Sequence, residues 1–230
     1  MVNRIAIYAH RGWMGSKIIM ALAESPTSVK VLCRRLFEVE ETAKRLGVKT
    51  TTVWTGNLAE FALGTPVMGV DRLNNHIIFT GDSASLPLNL CTRNYVAAAY
   101  ASIFGDTLIE KLEKRTLSLS ELRPTSHDIQ KALTTKFGVP PAQCTVTIEK
   151  VSVQVDEMIK KGEPGALAWY TRRNCGNGDQ LKFLGTDIWE VEGYIKASVE
   201  DLLVEDRLEE YRPVRKELLD VLYVEYASCV

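Results

Sequence analysis

The chain opens on a short apolar run, Arg4 to Ala9 (RIAIYA), which breaks at His10-Arg11-Gly12-Trp13-Met14-Gly15-Ser16. A helical period follows, with Ile18, Ile19, Leu22 and Ala23 on one face and Ser25-Pro26 as the stop. Val29 to Cys33 (VKVLC) reads as a buried second strand. Further on, the pattern predicts a helix over Glu38 to Leu46 ended by Gly47, then a β-branched strand from Val48 to Trp54. Short strands at Ile77 to Thr80 and Leu86 to Leu90 flank the turn Gly81-Asp82-Ser83. An alanine-rich helix spans Arg93 to Phe104, Leu108 to Lys114 is helical, and Leu117 to Leu119 and Thr145 to Ser152 are strands. Thr125 and Asp128 form a capping-box-like start to a helix over Ile129 to Lys136. Val155 to Lys160 is helical, Gly162 to Gly165 and Asn174 to Gly178 are punctuation, and a charged helix over Val199 to Leu222 is interrupted by Pro213.

Strand, glycine-bearing turn, helix and strand make the first 35 residues one βαβ unit of the dinucleotide-binding kind. The turn reads Ala9-x-x-Gly12-x-x-Gly15. Glycines there permit a tight turn and let backbone N–H groups approach a pyrophosphate at the helix N-terminus, so Gly12 and Gly15 are the cofactor-binding candidates. Arg34 and Arg35 follow the second strand directly, where a guanidinium pairs with the 2′-phosphate that separates NADP from NAD. Against this, His10, Arg11 and Trp13 put bulk and charge where such a loop ordinarily keeps small residues.

At 230 residues the chain is long enough for one large domain or two small ones. A net charge of −1, with no basic block interleaved with aromatics, argues against a nucleic-acid surface. With no apolar stretch of membrane-spanning length and no signal-peptide pattern, a soluble, cytoplasmic protein is expected. The five cysteines, Cys33, Cys91, Cys144, Cys175 and Cys229, are widely spaced without a C-x-x-C pair, so free, mostly buried thiols and no metal site are expected. Of the three histidines, His76 opens a strand and His127 a helix, whereas His10 stands at the carboxyl end of the first strand, where open α/β sheets bind ligands.

The order of segments resembles the NmrA-like and isoflavone-reductase-like proteins, a family of atypical short-chain dehydrogenases. The resemblance is carried by KTTTVWTGNLAEFALGTPVMGVD, IIFTGDSASLPLNLCTRNYVAAAYASI and LSLSELRPTSHDIQKALTTKFG. Within these, Thr55-Gly56-Asn57, Gly81-Asp82, Thr92 to Val96, Ser118 to Ser120 and Thr125 to Gly138 stand where the family has its pocket turn, inter-strand turn, helix start, serine strand and capped helix. The resemblance also implies a deletion. The family carries roughly three further βα units, each about 30 residues, where this chain has only Leu36 and Phe37 before the helix at Glu38. That segment supplies the family's proton-donating lysine, whose place is not taken by Lys30, Lys44 or Lys49, and Asn94 replaces the usual aspartate of the helix start.

The expected fold is α/β: a reduced Rossmann-like core over 1–64, then a smaller α+β substrate-side region over 65–230 whose strands return to the core. With its middle strands gone, the sheet should bring strand one, strand two and Val48 to Trp54 side by side, and a homodimer would cover the exposed edge. The catalytic candidates are His10, Arg11, Glu60 and Asp82, and the substrate-binding candidates are Tyr8, Trp13, Asn57 and Tyr170. His10 and Arg11 protonate or polarise a carbonyl, and Glu60 or Asp82 takes a proton. The expectation is a secondary-metabolism enzyme doing non-redox acid–base chemistry (isomerisation, cyclisation or dehydration) on a small organic molecule, with no cofactor required. The alternatives are an NADP(H)-dependent reductase of a carbonyl or enone, and a non-catalytic NADP-sensing regulator.

Overall fold

The computed structural model describes residues 3–6, 13–24, 29–32, 45–47, 51–163, 165–182 and 184–227. In chain order the elements are β1 (Asn3–Ala6), α1 (Trp13–Glu24), β2 (Val29–Leu32), β3 (Thr52–Trp54), β4 (Asn57–Leu58) and α2 (Ala59–Ala62). Next come β5 (Val70–Asp71), β6 (His76–Thr80), β7 (Leu90–Cys91), α3 (Arg93–Ala101) and β8 (Thr116–Leu119). Then follow α4 (Ser126–Phe137), β9 (Ala142–Val146), α5 (Ile148–Lys161), α6 (Ala166–Gly176), α7 (Asp179–Lys182), β10 (Ile188–Trp189), α8 (Val199–Leu203) and α9 (Lys216–Ala227). The architecture is α/β with parallel strand pairing, as the sequence predicts.

The chain divides into two compact units. The first comprises Met1–Gly56, Cys91–Ser120 and Thr186–Lys196; the second comprises Asn57–Leu90, Glu121–Gly185 and Ala197–Val230. Residues 57–64 therefore group with the second unit.

In the first unit β1 and β2 pair in parallel, from Asn3 opposite Val29 to Ala6 opposite Leu32. The intervening α1 buries Ile18 and Leu22, one helical turn apart, and packs against α3. A second parallel sheet has the order β10-β8-β3. Here the structure departs from expectation, because among the described residues β3 pairs with β8 rather than with β1 or β2. The reason is the return of the chain: Leu117 and Leu119 of β8 are fully buried, and β8 uses its two edges to bond β3 and β10.

The second unit is built on β5-β6-β9, with β5 antiparallel and β9 parallel to β6. One hydrophobic core gathers Leu63, Ile77, Phe79, Ile129, Leu133 and Leu203; a second gathers Ile78, Val151, Val155, Trp169 and Leu222. The predicted strand over Thr145 to Ser152 ends at Val146, because Thr147 is an N-cap whose hydroxyl accepts the Lys150 N–H at 3.2 Å. From there α5 runs on with Val151 and Val155 buried on one face, and Gly162, in the left-handed region at φ 66°, stops it. Asn174 to Gly176 are helical rather than a turn, since Ala168, Trp169, Arg172 and Cys175 form a continuous buried stripe. Leu108 to Lys114 supports only a single 3₁₀ turn at Ile109–Lys111; Leu108 and Ile109 are exposed, and of the apolar residues in this stretch only Leu112 is buried. Leu86 to Leu90 is a strand only from Leu90, and the C-terminal pattern resolves into α8 and α9 on either side of Pro213. Among the described residues no helix is long and apolar enough to cross a membrane.

Candidate functional site

The βαβ framework that the sequence predicts is present in the backbone of the first unit. β1 leads to α1, α1 returns to β2, and the register keeps the two strands parallel. The first four N–H groups of a twelve-residue helix have no intrahelical acceptors, and the summed peptide dipoles favour negative charge at that end. Trp13 is the first residue of α1, Gly15 lies in its first turn, and the turn holds no acidic residue to oppose an anion. A dinucleotide's pyrophosphate therefore fits the backbone arrangement. Tyr8, His10, Arg11, Gly12, Arg34 and Arg35 lie outside the described residues, as do Leu36 and Phe37 at the expected deletion.

The other candidates belong to the second unit, each in its own surroundings. Asn57 is half-buried; its side-chain amide donates to Gln180 Oε1 at 3.0 Å and reaches Cys175 Sγ at 3.7 Å. Gln180 Oε1 also accepts the Asn89 N–H (3.3 Å), while its amide donates to the Pro87 carbonyl (3.2 Å). The result is a clasp tying α7 to β4 and to the segment before β7. Burial pushes the Cys175 thiol up to about 12, with the Asn57 amide pulling weakly the other way, so it stays a neutral thiol at physiological pH. Glu60 is a buried carboxylate in the first turn of α2. Asp82 is exposed on the turn after β6, its N–H held by the Gly176 carbonyl at 2.9 Å. Tyr170 is exposed on α6 with the Arg173 guanidinium 4.8 Å over its ring. His76 stacks on Tyr226 (6.0 Å between centroids) and His127 meets Phe79 edge-on (5.7 Å), which fits the structural roles expected of both.

Sequence reasoning missed the strongest polar feature. Arg172 on α6 is almost completely buried, donates from Nε to Thr80 Oγ1 at 2.7 Å, and pairs through Nη1 with the buried Glu225 carboxylate on α9 at 2.6 Å. The available signal was an arginine three residues after Trp169 in an apolar helical stripe. The expectation of free cysteines is corrected in part: Cys91 and Cys175 are buried and outside any disulfide, whereas Cys144 is disulfide-bonded. Among the described residues no group of three or more histidine, cysteine, aspartate or glutamate side chains is placed to hold a metal ion.

No protein-family model matches the sequence, and no curated protein matches it. Solved structures do. Isoflavone reductase superposes with a TM-score of 0.66 at 11% identity, over 90% of this chain and 100% of that one. The leucoanthocyanidin reductase of Vitis vinifera, solved as its binary complex with NADPH, gives 0.65 at 11% identity over 88% and 99%. This chain has the isoflavone-reductase-like fold. A more distant likeness within that fold, the Escherichia coli quinone oxidoreductase QOR2 complexed with NADPH, gives 0.54 at 16% identity over 87% and 99%. These likenesses overturn the expectation that no cofactor is needed, because the isoflavone-reductase-like fold is represented among them by NADPH complexes. The error lay in giving the bulk of His10, Arg11 and Trp13 more weight than the βαβ framework, which is intact where it is described.

Proposed function

We propose that the protein is an NADP(H)-dependent reductase of a small organic carbonyl or enone. The observation that carries this reading is the parallel β1-α1-β2 unit, with a glycine in the first turn of α1, in a chain whose solved likenesses include NADPH-bound reductases. In this reading the N-terminus of α1, with Gly12 and Gly15, receives the pyrophosphate. Arg34 and Arg35, just beyond β2, pair with the 2′-phosphate. The nicotinamide supplies the hydride when bound. What the chain must add is a proton at the substrate oxygen and a dry, fixed approach. His10, at the carboxyl end of the first strand, is the proposed acid, because its ordinary pKa near neutrality lets it give and regain a proton. Arg11 beside it stabilises the oxyanion that develops on the substrate. Tyr8 and Trp13, in the same unit, are proposed to contact substrate.

Titration calorimetry with NADPH and NADH tests the reading directly. NADPH is expected to bind at micromolar concentrations or tighter, and an Arg34→Ala/Arg35→Ala variant should lose at least about tenfold for NADPH, with NADH little changed. Absence of NADPH binding in the unaltered protein would sink the proposal. Binding retained in the double variant would move the 2′-phosphate site elsewhere.

A further inference from the structure

Within the second unit, between the end of β6, the first turn of α4 and the middle of α6, lies a cavity of about 10 Å³. Its polar lining is Thr80, Ser83, Ser126, Arg172 and Cys175, each more than nine-tenths buried. Two of the guanidinium nitrogens of Arg172 are satisfied, Nε by Thr80 Oγ1 and Nη1 by Glu225. The third, Nη2, is buried without a hydrogen-bond acceptor among the described residues. A buried charged donor in that position has given up its hydration, and native interiors rarely leave such a group unmatched.

We propose that this cavity binds one water molecule, which accepts from Arg172 Nη2 and donates to the hydroxyl of Ser83 or Ser126. Size, charge and polarity select that ligand. The volume suits about one water and nothing larger. Arg172 is already neutralised by Glu225 at 2.6 Å, so an anion would have to enter an uncharged interior unpaired, and a cation would meet the guanidinium. Cys175, the other titratable group on the wall, is a neutral thiol. The hydroxyls supply the acceptors that a water needs: Ser83 Oγ takes the Thr80 N–H at 2.9 Å and keeps a second lone pair. So held, the water joins three elements, β6, α4 and α6, at the turn that carries Asp82.

A crystal structure of the unaltered protein near 1.8 Å, from crystals grown in bromide, is the test. One full-occupancy water peak within hydrogen-bond distance of Arg172 Nη2 and of a serine hydroxyl, with no anomalous signal, is expected. An anomalous peak would make the site an anion site, and a dry cavity would overturn the proposal outright. In solution, a long-lived water should give a nuclear Overhauser cross-peak to the Arg172 guanidinium protons. Ser83→Ala/Ser126→Ala should abolish that cross-peak, and its persistence in the double variant would refute the assigned acceptors.

Discussion

Arg172 shows how one side chain sets the terms for its neighbours. Its charge is buried, so its worth lies less in the energy of the ion pair than in the penalty incurred when the pair is broken. Arg172→Met should lower stability by about 3–5 kcal/mol in urea unfolding, because Glu225 is left charged in the interior. Arg172→Met/Glu225→Leu should recover much of that loss, and a double variant as unstable as the single would show that packing rather than charge dominates. Neither partner was legible as a pair in the sequence. Fifty-three positions separate them, and only the packing of α9 over α6 brings Glu225 to the guanidinium. Asn57, by contrast, was singled out as a substrate-binding residue at the turn Thr55-Gly56-Asn57, and the structure places it at the start of β4. What the sequence did not disclose is that Gln180 and Cys175 already occupy its amide.

At the scale of elements, the features that local chemistry determines were the readable ones. The capping box at Thr125 is present in full: its hydroxyl accepts the Asp128 N–H at 3.2 Å and Asp128 Oδ2 accepts the Thr125 N–H at 2.8 Å. The hydrogen bond from the Thr125 hydroxyl, then that from its backbone N–H, holds the Asp128 carboxyl below its usual range. A carboxylate depressed in the folded state stabilises at pH above its unfolded value near 3.9, and that contribution disappears as pH falls through the lower, folded value. Asp201, under the Ser198 hydroxyl, behaves alike. Thr125→Ala should therefore cost about 1 kcal/mol at neutral pH, and its deficit against the unaltered protein should shrink below about pH 4. Parallel thermal melts at pH 7 and pH 3 check this, and a deficit independent of pH would show that the box is not coupled to Asp128. Features set by tertiary packing were the ones misread. Gly176 looked like a turn glycine, yet it is the last residue of helix α6, and a Cβ there would lie 2.5 Å from the Thr80 carbonyl oxygen. The residue is small for close approach, not for a bend.

For the molecule as a whole, the fold class was legible because a change of hydrophobic period, from strand to helix and back, survives in any context. The pairing of β3 was not, since a three-residue strand carries no mark of its partner, and β8 is some sixty residues further on. The edge of β3 that does not face β8 is where we propose that a second copy of the chain docks. Among the described residues it is an outer edge of the β10-β8-β3 sheet, and Trp54 on it is 55% exposed. Multi-angle light scattering should report twice the chain mass of 25.7 kDa, and Trp54→Lys should shift the population toward single chains. A stable monomer in the micromolar range would remove this proposal.

The interleaving of the two units also dictates an order of events during synthesis. The first unit takes its chain from three separate stretches, the last being Thr186–Lys196. Trp189, which lies opposite Leu119 of β8, leaves the ribosome about 70 residues after it, and at ~5–20 residues per second that is a delay of roughly 4–14 s. Through that interval β8 has one hydrogen-bonding edge open while the whole Glu121–Gly185 stretch of the second unit is being made. The nascent chain thus presents a bare strand edge to the cell for seconds, a natural docking point for a holdase chaperone and the place where crowded expression would first lead to aggregation.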